Sequence, residues 1–381
     1  MSIIKKVFNK CTRRLSWIFF WIFPIKKNKI VVCSYYGRGY GDSPKYIVQE
    51  LLKKTNKLKI VWVVKDGNEA VTLPDAVSFC KKDSIAEIYH LSTAKIWIDN
   101  CRKGAYIKKC KQKYLQTWHG FALKKIEKDA ESVLSDSYAT WARKDSGQID
   151  LIVSCSQFMT RIYRDSFWYD GEIVEWGSPR NDILINGDVS VLEKVRDYYK
   201  IEPNKKIVLY APTFRADHSV KAYGIDYNRL RKSCQKRFGR EFVVLVRLHP
   251  NIVDKCRNLS FKDGEIINAT YYPDMQELLV ASDVCISDYS SLMFDFLLSK
   301  KPCFQFATDV EEYKQDRNFY FDIEKLPLPL CRSNDELEKQ ILLFEEKEYQ
   351  YNVDIFLKQV GMNMDGNACN ACVDWIIKTV G

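Results

Sequence analysis

Several short segments place polar and ionisable side chains where apolar runs end. Gln116-Thr117-Trp118-His119-Gly120 closes one such run, and its glycine permits a sharp turn and the close approach of another group. An imidazole takes a proton near pH 7, so His119 is a candidate general base toward an attacking hydroxyl, a role worth roughly 10²–10⁴-fold in rate; a buried structural histidine is the alternative reading. Ser287-Asp288-Tyr289-Ser290-Ser291 follows another apolar run and opens an apolar helix. Ser290 and Ser291 then lie where unpaired N–H groups and the helix dipole favour phosphate, although Asp288 or Ser290 could cap that end with no ligand. Asp295, one turn beyond Ser291, could accept hydrogen bonds from sugar or glycerol hydroxyls. Arg247-Leu248-His249-Pro250 ends a strand with two basic side chains, suited to a pyrophosphate, and a proline that stops it. Gly177-Ser178-Pro179-Arg180-Asn181-Asp182 and Tyr210-Ala211-Pro212-Thr213-Phe214-Arg215 each bring an arginine. Guanidinium forks match phosphate oxygens bidentately, so Arg180 and Arg215 are candidate diphosphate clamps, or ion-pair partners.

Buried strands must hold these segments. Ile30–Cys33, Ile60–Val64, Ile96–Ile98, Tyr114–Thr117 and Leu151–Val153 are short apolar runs, with amphipathic stretches around 44–54, 83–92 and 156–166 between several of them. That alternation predicts crossover helices on a mainly parallel sheet. After a polar stretch around 186–204, a second series follows at Ile207–Tyr210, Phe242–Val246, Val284–Ile286 and Cys303–Phe306. The expected fold class is therefore α/β, with two domains that meet ligands at the carboxyl ends of their strands, across a cleft. The expected division is 1–28 as a membrane-association segment, 29–188 and 189–365 as Rossmann-like domains, and 366–381 as a helix that could return to the first.

Composition narrows the partners. The 381 residues carry a formal net charge of +10, which favours phosphates, lipid headgroups or nucleic acid. No nucleic-acid-binding module is recognisable, so nucleic acid is not expected. Thirteen cysteines without a cleavable secretory signal suggest a reducing compartment, and the Cys369/Cys372 pair reads as helix packing rather than a zinc site. No carboxylate cluster implies a metal, and no cofactor is expected beside the donor substrate. Near the start, Lys5, Lys6, Lys10, Arg13 and Arg14 precede Trp17–Phe23, followed by Lys26, Lys27 and Lys29. Crossing a bilayer takes about 20 apolar residues, so this shorter run suits a segment lying in an anionic headgroup region, or an ordinary docking helix.

Taken in order, the His119, Arg180, Thr213, His249 and Ser290 segments, with Lys301-Pro302 behind them, resemble the CDP-glycerol glycerophosphotransferase family of teichoic-acid primases and polymerases. The resemblance implies a GT-B-like fold of two facing Rossmann-like domains with a central cleft, a CDP-alditol donor, and peripheral attachment to the cytoplasmic side of the cell membrane. It implies a base role for His119 and donor-binding roles for Gly120, Phe121, Ala122, Leu123, Arg180, Thr213, Phe214, His249, Ser290, Ser291 and Asp295. Charge adds Arg215 and Arg247, and Leu248 and Pro250 flank His249, which would stabilise charge on the transferring phosphate. One departure stands out: Phe121-Ala122 replaces the Thr-Pro that family members often carry after Trp-His-Gly. The function so implied is transfer of glycerol phosphate from CDP-glycerol to a membrane-linked polymer or its linkage unit, with release of CMP. A CDP-ribitol enzyme, a nucleotide-sugar glycosyltransferase and a basic membrane-binding protein are the alternatives.

Overall fold

The structure, a computed structural model, describes residues 15–67, 72–103, 106–213, 215, 224–248, 264–316 and 318–381. The chain divides into two compact units. Unit 1 takes the chain up to His119, then Glu127–Asp182 and Asp365–Gly381, and unit 2 takes Gly120–Ile126 and Ile183–Met364. The division therefore falls at Asp182 rather than after residue 188, and Gly120–Ile126 leaves the first domain in which the sequence placed it.

Unit 1 holds a parallel sheet of β1 (Lys26–Cys33), β2 (Lys59–Val64), β3 (Val77–Lys81), β4 (Ala94–Asp99), β5 (Lys113–Gln116), β6 (Leu151–Val153) and β7 (Glu172–Val174). Their order is β3-β2-β1-β4-β5-β6-β7. Ile30 of β1 stands in register with Ile60 of β2 and Ile96 of β4, so the central strands form continuous apolar rows. Such strands are buried on both faces, which is why they read as unbroken apolar runs, and the helices Asp42–Lys54, Ile85–Thr93 and Gln157–Ser166 lie in the crossovers between strands. Ser84 and Ser156 start two of these helices by accepting the N–H of Glu87 and Met159. The C-terminal helix Ala368–Val380 brings Cys372, Val373 and Ile376 into the same core. The Asp182 carboxylate accepts the N–H groups of Ala368 and Cys369 at 3.2 and 2.7 Å, tying the start of that helix to unit 1.

The helix over 15–21 docks by one side only. The Trp17 ring lies 5.2 Å from Tyr106 and 6.4 Å from Trp97, Phe20 lies 5.4 Å from Tyr89, and the Lys109 ammonium donates to the Phe23 carbonyl at 2.7 Å. Leu15, Ile18, Phe19 and Ile22 remain 67%, 67%, 57% and 77% exposed. No helix among the described residues is long and apolar enough to cross a membrane.

Unit 2 holds a second parallel sheet of β8 (Lys206–Tyr210), β9 (Phe242–Val246), β10 (Ile266–Asn268), β11 (Val284–Ser287), β12 (Cys303–Phe306) and β13 (Leu330–Cys331), ordered β10-β9-β8-β11-β12-β13. The Gly120–Ile126 segment is built into this unit. Phe121 packs 4.6 Å from Phe294 and 5.9 Å from Phe321, the Leu123 carbonyl accepts the Tyr320 N–H at 2.9 Å, and Lys125 N–H donates to Asn318 at 2.8 Å.

Candidate active site

In unit 1 the strand order reverses between β1 and β4, and ligands of open α/β sheets bind outside the carboxyl ends of the strands at such a point. Asn100 and Cys101 follow β4, and the turn to His119 follows β5. That turn needs positive φ at Trp118 (52°) and Gly120 (129°), and the Gln116 side chain fixes it by accepting the Trp118 N–H at 2.8 Å. The Trp118 ring backs the imidazole at 4.3 Å and itself rests on Phe167 at 4.7 Å. Behind them, buried Arg102 lies over Phe167 and pairs with Glu127 at 2.9 Å and Asp145 at 3.5 Å.

His119 is half-buried, with Nδ1 2.7 Å from the Asn100 carbonyl oxygen. A carbonyl only accepts, so Nδ1 carries the hydrogen and the neutral ring keeps its lone pair on Nε2. Burial lowers the imidazole pKa, and the Asn100 bond and the Asp42 charge only partly offset it, so the ring is held below its usual value of 6.5. His119 is thus an oriented, neutral proton acceptor at pH 7.

The Tyr35 ring stands edge-on to His119 at 5.9 Å, and its hydroxyl donates to Asp42 at 2.6 Å. Asp42 also accepts the Ser43 N–H and an Arg180 N–H, each at 2.6 Å. Burial disfavours this carboxylate, but Arg180, Tyr35 and Ser43 together hold it below the usual range. Arg180 is therefore the counter-ion of a buried acid, not an open diphosphate clamp.

In unit 2 the order reverses between β8 and β11. Thr213 follows β8, and Ser290 and Ser291 follow β11, all three half-buried. The Asp288 carboxylate takes the N–H groups of Thr213 and Tyr289 at 2.8 and 2.6 Å and pairs with Arg215 at 2.9 Å. Arg215 also binds Asp309 at 2.6 Å and lies over the Tyr289 and Tyr313 rings at 4.9 and 5.0 Å. Burial works against its charge, yet the bonds to Asp309 and Asp288 raise its pKa. Arg215 thus holds the β8 and β11 loops together, and the clamp expected of it is occupied by carboxylates.

Asp295, read from the sequence as an acceptor for sugar or glycerol hydroxyls, is buried and accepts from the Gln276 side chain at 3.1 Å. Ser291 precedes the helix Leu292–Leu297 without a side-chain capping bond, and Ser290 accepts the Leu292 N–H at 3.4 Å. Arg247 donates to the Tyr272 carbonyl at 2.7 Å, while buried Leu248 donates its N–H to Thr270 at 3.2 Å. Of the residues after His119, Phe121, Ala122 and Leu123 are buried and Gly120 is half-buried. Phe214, His249 and Pro250 lie outside the described residues. Among the described residues no three His, Cys, Asp or Glu side chains are grouped to hold a metal. Cys369 and Cys372 are buried on the C-terminal helix, and the Cys369 thiol donates to the Pro179 carbonyl at 3.2 Å.

The sequence model of the CDP-glycerol:poly(glycerophosphate) glycerophosphotransferases matches residues 15–378. The chain belongs to this family. A teichoic acid poly(glycerol phosphate) polymerase of Staphylococcus epidermidis is 32% identical over 371 residues, covering 93% of this chain and 51% of the relative. A teichoic acid glycerol-phosphate transferase of Staphylococcus aureus is 30% identical over 367 residues, covering 92% and 93%. The chain thus spans about half the length of the Staphylococcus epidermidis and Bacillus subtilis polymerases it matches, 51% and 46%. Among solved structures, a variant of the wall teichoic acid polymerase TagF soaked with CDPG superposes with a TM-score of 0.86 at 30% identity, over 99% of this chain and 96% of that one. The fold is α/β, with two Rossmann-like units of the GT-B kind.

Sequence reasoning missed Tyr35, Asp42, Asn100 and Arg102, which orient or back His119. One signal was readable: Gly37-Arg38-Gly39-Tyr40-Gly41-Asp42, a glycine-dense run straight after the first apolar strand.

Proposed function

We propose that this protein transfers glycerol phosphate from CDP-glycerol onto the hydroxyl end of a membrane-linked surface polymer or its linkage unit. The observation that carries the reading is the family match across residues 15–378; the pinned, neutral His119 supplies the group such a reaction needs. The acceptor hydroxyl gives its proton to His119 Nε2 as its oxygen bonds to the β-phosphorus of the donor. The bond from that phosphorus to the CMP oxygen breaks, and CMP leaves. Charge on the phosphate oxygens is the main burden of such a transfer, and preorganised donors lower its cost. Thr213, Ser290, Ser291 and His249 are the donor-side groups in this proposal, with no step requiring a metal or a further cofactor.

The protein works as a peripheral protein on the cytoplasmic side of the cell membrane. Supporting this is the helix over 15–21, whose outward Leu15, Ile18 and Phe19, with exposed Ile22 just after it, are followed by exposed Lys26 and Lys27. Apolar side chains beside cations suit an anionic headgroup layer. Donor choice is tested by calorimetry with CDP-glycerol, CDP-ribitol and UDP-sugars: preference for CDP-glycerol supports the reading, and tighter binding of a UDP-sugar overturns it.

A further inference from the structure

We propose that the loop from Ser34 to Asp42 recognises the acceptor, with Arg38 binding the acceptor phosphodiester nearest the attacking hydroxyl. This inference rests on the transfer reaction proposed above and assigns that reaction's second substrate to a site.

The loop leaves β1 at the carboxyl edge where the sheet of unit 1 reverses direction, the same edge that carries His119. Its Tyr35 ring stands against the imidazole at 5.9 Å. The reacting hydroxyl must come within hydrogen-bond reach of His119 Nε2, so the end of the acceptor has to lie beside this loop. In a polyol phosphate chain the nearest negative charge is only a few bonds from the terminal hydroxyl. A cation close to the base is therefore what such an acceptor requires.

The loop is costly to build and firmly held. Tyr35, Tyr36 and Asp42 have φ of 44°, 59° and 59°, in the left-handed region that non-glycine residues avoid, and strain of this kind gathers at functional sites. Tyr35 and Tyr36 are nonetheless 37% and 44% exposed, so core packing does not account for the conformation. The Lys65 N–H donates to the Gly37 carbonyl at 2.7 Å, and a Cβ at Gly37 would come 2.8 Å from the Lys65 nitrogen, so only glycine fits there. The Asn100 side chain accepts the Tyr35 N–H at 2.8 Å, and Asp42 anchors the far end through Tyr35 and Arg180. Arg38 sits in the middle of this rigid loop. Its side chain is exposed and makes no ion pair or hydrogen bond to the described residues, which leaves its fork open to a phosphodiester.

The test is steady-state transfer by Arg38→Ala and Arg38→Lys, with CDP-glycerol and two soluble acceptors of equal length, one carrying a terminal glycerol phosphodiester and one a neutral glycerol ether. Loss of a charge-assisted contact predicts a roughly 10- to 100-fold rise in KM for the phosphodiester acceptor with Arg38→Ala. Turnover at saturation and CDP-glycerol affinity should stay within about twofold, Arg38→Lys should recover part of the loss, and the KM of the neutral acceptor should not move. An unchanged KM for the phosphodiester acceptor, with wild type active, overturns this inference alone. Equal rises for both acceptors also overturn it, because the effect would not follow charge. A wild-type protein that transfers nothing from CDP-glycerol overturns the underlying reaction and this inference together.

Discussion

Replacing Asp42 by Asn should destabilise unit 1 far more than a surface change would. The Asp42 and Arg180 side chains are 2% and 4% exposed and meet at 2.6 Å. Asparagine keeps the volume and one acceptor oxygen, but it strands the guanidinium in a dry site and turns an amide toward the donors that faced a carboxylate. Breaking a buried pair from one side costs about 3–5 kcal/mol. Three short bonds to the carboxylate are at stake, and bonds to charged groups contribute about 1.5–3 kcal/mol each, so even partial loss reaches that range. Tryptophan emission isolates the effect, because all nine tryptophans, from Trp17 to Trp375, belong to unit 1. Urea unfolding followed by that emission should show the loss. The folded carboxyl is held below its usual value, so its contribution is full above the unfolded pKa of about 3.9 and fades as pH falls through the lower folded value. Acid should therefore narrow the gap between variant and wild type. A loss below about 1 kcal/mol, the size of an exposed pair, would refute the reasoning.

His119→Ala should cut turnover by roughly 10²–10⁴-fold while CDP-glycerol affinity changes little, and near-normal turnover at saturation would remove it as the base. Its pKa is held below 6.5, so the wild-type rate should be flat near neutrality and fall on the acid side only below that value; an acid limb centred above 7 would contradict the pinned, half-buried imidazole. The Ile18→Glu, Phe19→Glu variant leaves Trp17 and Phe20 docked and should bind phosphatidylglycerol vesicles at least about tenfold more weakly in flotation, since burying one such side chain contributes about 1.5–3 kcal/mol. Unchanged flotation would reject the outward face of that helix as the membrane contact.

The strands legible in the sequence are the ones covered on both faces. β1, β2, β4, β5 and β6 in unit 1, and β8, β9, β11 and β12 in unit 2, appear as unbroken apolar runs. The strands for which the sequence offers no clear apolar run, β3, β7, β10 and β13, are the outermost of their sheets. An edge strand needs no continuous apolar run: β3 buries only Val77 and Cys80 and exposes Ser78, Phe79 and Lys81, and β13 is two residues long. Motif reading placed His119 and the unit 2 serines just past strand ends, where the structure has them, because strand ends carry a local signature. It could not name the protein partners of Arg180, Arg215 and Asp295, because Asp42, Asp309 and Gln276 are distant in sequence. Phe121 looked like an altered ligand position, yet its ring is an anchor beside Phe294 and Phe321.

The central claim is the chemistry of transfer, and product mass tests it most directly. Purified protein is incubated with a lipid-linked acceptor and either CDP-glycerol or CDP-ribitol, and acceptor mass and CMP are measured together. The account predicts acceptor heavier by whole glycerol phosphate units, with one CMP released per unit, from CDP-glycerol and little from CDP-ribitol. Acceptor left unchanged in the presence of CDP-glycerol, or extended by ribitol phosphate in preference, would contradict it.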